Sequence, residues 1–230
     1  MTLIDYPGKI AATVFTVGCN LRCPFCHNPE LVLPESNVFQ KQAFQEKDFF
    51  TFLEKRKNRL EGVCITGGEP TLQTDLLEFI AKIKKLGFLV KLDTNGTRPD
   101  VLKNILEKKL VDYVAMDIKA APQNYHRLVG RKIDIQRIEL SVELIRRWGD
   151  AGKIDYEFRT TVVPGLHSEE DFDIIGEWLA GAKRYILQKY KDAGKILDSN
   201  LRKQIEDKDL DLEKIKNHLF SEGFQEVRIR

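Results

Sequence analysis

The sequence predicts an α/β fold: a partial (βα)6 open barrel with mostly parallel strands, plus a C-terminal helix and edge strand. Three observations carry this. Short β-rich runs alternate with longer stretches of helical period from residue 9 to residue 188, and that alternation requires right-handed crossovers and a largely parallel sheet. Six such units are fewer than the eight that close a full barrel. No fixed-period repeat or low-complexity segment interrupts the 230 residues. We therefore expect a single domain over 1–230, with its core at 9–188 and an extension at 189–230.

The elements follow in order. Residues 10–17 form the first strand and deliver the chain into a cysteine-rich loop. Residues 48–60 read as a helix with Phe49, Phe52, Leu53 and Leu60 on one side, and the basic run Lys55-Arg56-Lys57 as its solvated face. Residues 62–66 are the second strand. Residues 75–85 are helical, with Leu76, Ile80 and Ile83 at core spacing and Gly87 just past the end. Residues 88–92 make the third strand. A helix over 99–108 starts with Pro99, whose fixed φ suits a first turn. Residues 111–117 are the fourth strand, and the helix at 135–148 buries Ile138, Val142 and Ile145. Residues 156–163 form the fifth strand. The helix at 169–180 buries Phe172, Ile175 and Leu179 behind the N-cap Ser168. Residues 184–188 are the sixth strand, 189–208 a polar loop with weak helix, 212–222 a helix and 225–229 the edge strand.

Composition narrows the class. Hydrophobic residues make up 42% and charged residues 31%, the balance of an ordinary globular domain. Lys and Arg number 37 against 35 Asp and Glu, so bulk charge gives no support to a nucleic-acid partner. No apolar stretch approaches ~18 residues and no leader is visible at Met1, so neither a membrane span nor export is expected. Reduced thiols then point to the cytoplasm.

Cys19, Cys23 and Cys26 carry the chemistry, in the run Gly-Cys-Asn-Leu-Arg-Cys-Pro-Phe-Cys-His-Asn-Pro. Cys19 and Cys23 are at most about 14 Å apart even on an extended chain, so one loop can aim three sulfurs inward. Soft thiolates gathered in this way hold an iron–sulfur cluster or zinc. In a four-iron cubane, three protein sulfurs leave one iron open to a small molecule. A disulfide fits an odd local count poorly. Zinc held by three cysteines and His27 conflicts with the usual two separated ligand pairs. Cys64, inside the apolar run Gly-Val-Cys-Ile-Thr, reads as core.

In parallel α/β folds chemistry gathers at the carboxyl ends of strands. The second strand ends in Gly67-Gly68-Glu69-Pro70, where two side-chain-free residues let backbone approach a ligand and Glu69 adds an acceptor. The third ends in Asp93-Thr94-Asn95-Gly96 and the fourth in Asp117-Ile118-Lys119. These are turn-capping residues, or oxygen donors for a hard cation or the polar end of a ligand. On the fifth strand, Arg159 and Thr160 stand among apolar neighbours, and one of them is expected to face the barrel mouth. His167 is a substrate-side candidate. His126 and His218 read as surface residues.

These residues in this order resemble the radical S-adenosylmethionine (SAM) superfamily, through Cys19-x3-Cys23-x2-Cys26 with Phe25 before the last cysteine, then the Gly-Gly-Glu-Pro turn. The resemblance implies a radical SAM type barrel and a 4Fe-4S cluster on the three cysteines, with S-adenosylmethionine chelating the fourth iron. Reductive cleavage then yields a 5'-deoxyadenosyl radical that abstracts hydrogen. It also implies that Gly67, Gly68 and Glu69 hold the methionine amino group and that Phe25 lies near the adenine. Asp93, Thr94, Asp117, Lys119 and Arg159 complete the expected cofactor site. A narrower likeness runs through Thr2-Leu-Ile-Asp-Tyr-Pro-Gly8, Cys-His-Asn-Pro-Glu30, Asp93-Thr94-Asn95-Gly96 and Met116-Asp117-Ile118-Lys119. It points to glycyl-radical enzyme activases, closest to the anaerobic ribonucleoside-triphosphate reductase activating group. That group implies a glycyl-radical enzyme partner, an electron donor such as flavodoxin or ferredoxin, and a monovalent cation at Asp93, Thr94 and Asp117.

Residues 31–61 hold no cysteine, so the ferredoxin-like insert of some activases is missing, and no later cluster marks an auxiliary-cluster enzyme. Two other readings stand beside the activase: a radical SAM enzyme acting on a small molecule such as a deazapurine precursor, and a non-catalytic zinc or redox module.

Overall fold

The computed structural model describes residues 1–32, 45–191, 194–203 and 210–230. Seven strands form one sheet in sequential order: β1 (Ala11–Thr16), β2 (Gly62–Gly67), β3 (Leu89–Thr94), β4 (Tyr113–Asp117), β5 (Asp155–Val162), β6 (Arg184–Lys189) and β7 (Glu226–Ile229). Every neighbouring pair is parallel. The two ends of the sheet, β1 and β7, are its edges, so the barrel is open. All strand carboxyl ends consequently face one side, which is where the site lies.

The helices between and after the strands are α1 (Pro29–Val32), which follows the cysteine loop, α2 (Glu46–Glu54), α3 (Leu76–Lys85), α4 (Pro99–Glu107), α5 (Tyr125–Val129), α6 (Ile135–Asp150), α7 (Glu169–Leu179) and α8 (Leu212–Ser221). One continuous core runs from Ala12 to Val227. In it the stripes Leu76, Ile80, Ile83 on α3 and Ile138, Val142, Ile145 on α6 pack on the outward strand positions Val63, Ile65, Leu92 and Phe158. Side chains alternate across a strand. On β5, Tyr156, Phe158 and Val162 enter this core, while Glu157, Arg159 and Thr161 turn into the barrel. The inner face is polar, as the Cys64–Lys91 and Asp117–Arg159 register pairs illustrate.

Most expected elements appear within a few residues of their predicted ends. The helix expected over 48–60 stops at Glu54. Residues 55–60 turn instead, with Arg56 N–H donating to Leu53 O and Leu60 N–H to Arg56 O, because Leu60 must fold back into the core before β2 begins. Lys55-Arg56-Lys57 therefore lies in a turn, with the Arg56 guanidinium 4.2 Å from the Phe52 ring centre. α5 and the 3₁₀ turns Pro70–Leu72 and Pro122–Asn124 are too short to leave a periodic signal. The 189–208 region contains a 3₁₀ turn, Ser199–Lys203, and residues 192–193 and 204–208 of it lie outside the described residues. Among the described residues, no helix is long and apolar enough to cross a membrane.

Candidate active site

The cysteine loop leaves β1 through Gly18, whose φ of 97° lies in the left-handed region that favours glycine. Gly18 and Cys19 N–H groups donate to Leu31 O and Val32 O of α1, and Arg22 N–H donates to Val129 O at 2.8 Å. The Arg22 guanidinium closes the loop on itself through Cys19 O at 2.6 Å and Leu21 O at 2.8 Å. All four cysteines are free thiols. The Cys19 sulfur accepts from Leu21 N–H at 3.4 Å and from the Asn95 amide at 3.9 Å. Burial raises the Cys19 pKa and pushes that of Cys23 up to about 12. The Lys119 charge pulls both thiols the other way without offsetting burial.

The Gly67-Gly68-Glu69 turn reaches the pocket, yet its residues also serve the chain itself. A Cβ on Gly67 would sit 2.4 Å from Thr16 N, and one on Gly68 would sit 2.1 Å from Gly18 O, so the absent side chains let the end of β2 pack against the cysteine loop. Glu69 is 1% exposed. One of its oxygens accepts from Thr71 N–H, Thr71 Oγ1 (2.5 Å) and Thr94 Oγ1 (2.8 Å), and the other from Asn95 N–H at 2.7 Å. Burial raises its pKa against the pull of these four donors. Glu69 thereby braces the end of β2 to the end of β3.

Asp93 and Asp117 stand at the ends of β3 and β4, joined by Arg159. The guanidinium donates from Nη1 to Asp93 at 3.2 Å and from Nε to Asp117 at 2.9 Å. Lys91 pairs with Asp93, and Lys119 reaches Asp117 at 3.0 Å. Burial opposes ionisation of Asp117, but the Arg159 and Lys119 charges overcome it and hold the carboxyl well below its usual range. Asp117 in turn raises the Lys119 pKa against desolvation. Two carboxylates meet three cations here, and Glu69, which lines the same pocket, brings the carboxylates to three.

A single pocket is lined by Cys19, Cys23, Cys26, Phe25, Gly67, Gly68, Glu69, Asp93, Thr94, Asp117 and Lys119. Arg159 lies beneath it, tying two of its walls together. Thr160 points the other way, donating to Ile118 O at 2.6 Å and meeting Tyr185 OH. Leu21, Asn28, Thr66, Asn95 and Thr161 also line the pocket. Asn95 belongs to the strand-end motif singled out from the sequence and Asn28 to the run after the triad, whereas sequence reasoning passed over Leu21, Thr66 and Thr161, although Thr161 shares strand parity with Arg159. His167 is 5% exposed: its ring meets Val163 N–H and Lys119 O, so it braces the β4 and β5 loops rather than facing a substrate. His126 is exposed, and His218 is a partly exposed partner of Asp173. Cys64 is fully buried in β2, 3.7 Å from Lys91 Nζ.

The residues present suit a sulfur-ligated cluster and a zwitterionic ligand. Among the described residues, no three His, Cys, Asp or Glu side chains stand close enough to hold a single ion, while three soft donors open onto one cavity beside charged groups of both signs, Asp93, Asp117 and Lys119.

Comparison with known proteins agrees with this geometry. The radical SAM superfamily profile matches residues 13–179. A Methanocaldococcus jannaschii protein named as a glycyl-radical enzyme activating enzyme is 36% identical over 197 residues, covering 84% of this chain and 79% of that one. The pyruvate formate-lyase-activating enzyme of Streptococcus mutans is 29% identical over 212 residues, covering 84% of this chain and 75% of its own length. In fold, the chain is similar to Streptococcus suis SuiB bound to S-adenosylmethionine, with a TM-score of 0.70 at 16% identity over 96% of this chain. This chain spans about half, 50%, of that structure. The family implies S-adenosylmethionine and a 4Fe-4S cluster. By profile, by sequence identity and by the pocket that three thiols and a Gly-Gly turn share, the chain belongs to the radical SAM superfamily and, within it, to the glycyl-radical enzyme activating enzymes.

Proposed function

We propose that this chain, acting as one domain, installs a radical on a backbone glycine of anaerobic ribonucleoside-triphosphate reductase. The observation that carries the reading is the convergence of Cys19, Cys23 and Cys26 with the Gly67-Gly68 turn, Asp93, Asp117 and Lys119 in one pocket. Cys19, Cys23 and Cys26 would hold the cluster, and the backbone of Gly67 and Gly68 would take the methionine amino group. Phe25, 4% exposed, supplies an apolar wall for the adenine. Lys119, with Arg159 behind it, supplies positive charge for the cofactor carboxylate. When bound, the cluster and cofactor supply one-electron cleavage of a sulfonium and hydrogen abstraction from carbon. Asp93, Thr94 and Asp117 are also the donors that the resemblance gives to a monovalent cation. Each oxygen of Asp93 and Asp117 already accepts from Lys91, Lys119 or Arg159, so a cation there would share them with these donors.

The reductase is favoured over other glycyl-radical partners by the run Thr2-Leu-Ile-Asp-Tyr-Pro-Gly8 and its likeness to that activase group. The test is anaerobic incubation of the reconstituted protein with S-adenosylmethionine, dithionite and the reductase. A glycine-centred doublet in the electron paramagnetic resonance spectrum is the expected outcome. A protein that cleaves the cofactor but yields the doublet only with pyruvate formate-lyase, or with neither enzyme, overturns the choice of partner.

A further inference from the structure

Reductive chemistry in the pocket needs an electron from outside, and the mouth of the pocket is where cofactor and substrate glycine must enter. The outer side of the cysteine loop offers a second approach. There a cleft is floored by Asn20 and Thr97 and walled by Arg98, Arg131, Lys132 and Arg137. Its acidic members are Asp100, which takes Arg98 at 2.9 Å and Arg137 at 3.1 Å, and Asp134, which caps α6 by accepting from Gln136 N–H. Four cations against two carboxylates leave the cleft positive. Arg131 and Lys132 are exposed and have no acidic partner among the described residues.

The cleft is built onto the thiol loop. Asn20 donates to Thr97 Oγ1 at 2.8 Å, and the Asn95 amide oxygen accepts from both Thr97 N–H and Thr97 Oγ1. With its oxygen held there, the Asn95 amide nitrogen faces Asn20 Oδ1 at 2.9 Å and the Cys19 sulfur at 3.9 Å. A continuous hydrogen-bonded network therefore joins the floor of the cleft to one thiol. On the other wall, a Cβ on Gly130 would lie 2.4 Å from Arg22 O, so the turn carrying Arg131 and Lys132 presses directly on the cysteine loop. Charge complementarity selects the occupant, since a basic face steers an acidic partner and fixes its orientation.

We propose that this cleft is the docking face for an acidic one-electron carrier protein, of the flavodoxin or ferredoxin class, which passes its electron inward beside Cys19. The proposal rests on the three cysteines holding an iron–sulfur cluster and is independent of which glycyl partner is served. The experiment follows reduction of the cluster-loaded protein by stopped-flow absorbance, with reduced flavodoxin, with reduced ferredoxin and with dithionite. Expected for the wild type is a carrier rate that falls steeply with ionic strength. Combining Arg131→Glu with Lys132→Glu should lower that rate at least tenfold at low salt and leave the dithionite rate unchanged, while Arg131→Lys with Lys132→Arg should restore it. A carrier rate indifferent to salt, an unchanged rate in the charge-reversed variant, an equal loss with dithionite, or failure of both carriers to reduce the wild type would each overturn the proposal. Loss of the glycine doublet in the activation experiment leaves this assay intact, so the two failures are distinguishable.

Discussion

The two ends of the barrel interior are both charged, but they use charge differently. At the carboxyl end, Asp93, Asp117, Lys119 and Arg159 form a paired network of charges beside an open pocket. At the amino end, Glu157 is fully buried, accepts from Tyr113 OH at 2.9 Å and faces Arg230 at 3.3 Å. Arg184 donates to the same tyrosine at 2.8 Å and pairs with Glu226 at 2.6 Å. Tyr6 seals this end, 4% exposed and edge-on to Tyr113. Glu157 and Arg159 are two residues apart on one face of one strand, yet the first closes a plug and the second supports a site. A buried charge marks function only where its network opens onto space that a guest can fill.

Breaking the open end should have the largest effect on function and little on the fold. Cys23→Ala is expected to abolish cluster uptake, read as loss of bound iron and of visible absorption, while the circular dichroism spectrum stays unchanged. Breaking the closed end should do the reverse. Glu157→Ala leaves the buried Tyr113 hydroxyl without its acceptor and removes the partner of Arg230, and is expected to cost about 2 kcal/mol in urea unfolding, with cofactor affinity of the folded protein unaltered. If affinity fell in parallel, the two ends would be one coupled unit. The seam between β2 and the cysteine loop is tested by Gly68→Ala. Its added methyl meets Gly18 O, and a displacement costing about 2 kcal/mol is expected, with cluster content falling more than stability. The smallest effect belongs to Cys64→Ala, about 1 kcal/mol for a small buried group, with full cluster content. Loss of the cluster there would move Cys64 from core to chemistry.

Legibility in the sequence followed the same division. The cysteine triad and the strand-end motifs were readable because each is local, and a parallel sheet brings all strand carboxyl ends to one side. Arg159 was harder: a strand offers two faces, and only the structure shows it bridging Asp93 and Asp117 while Thr160 faces outward. His167 misled because an isolated histidine in sequence carries no sign of the Lys119 carbonyl it meets. The run Thr2-Leu-Ile-Asp-Tyr-Pro-Gly8, which carries the narrower resemblance, lies at the closed end. There Thr2 pairs with Ala11, Asp5 accepts from Thr13 and Tyr6 packs on Tyr113, far along the strands from the thiols.

By itself, the amino-acid sequence determined the open parallel α/β architecture and singled out three closely spaced thiols, because hydrophobic period and cysteine spacing are properties of short stretches of chain. Only the tertiary structure decided that Glu69 is a brace saturated by Thr71, Thr94 and Asn95, that Asp93 and Asp117 share one guanidinium, and that a basic cleft abuts the cysteine loop. Those outcomes depend on which hydrogen-bond donors and charges from distant strands arrive within about 3 Å of one another, a relation that no local pattern encodes.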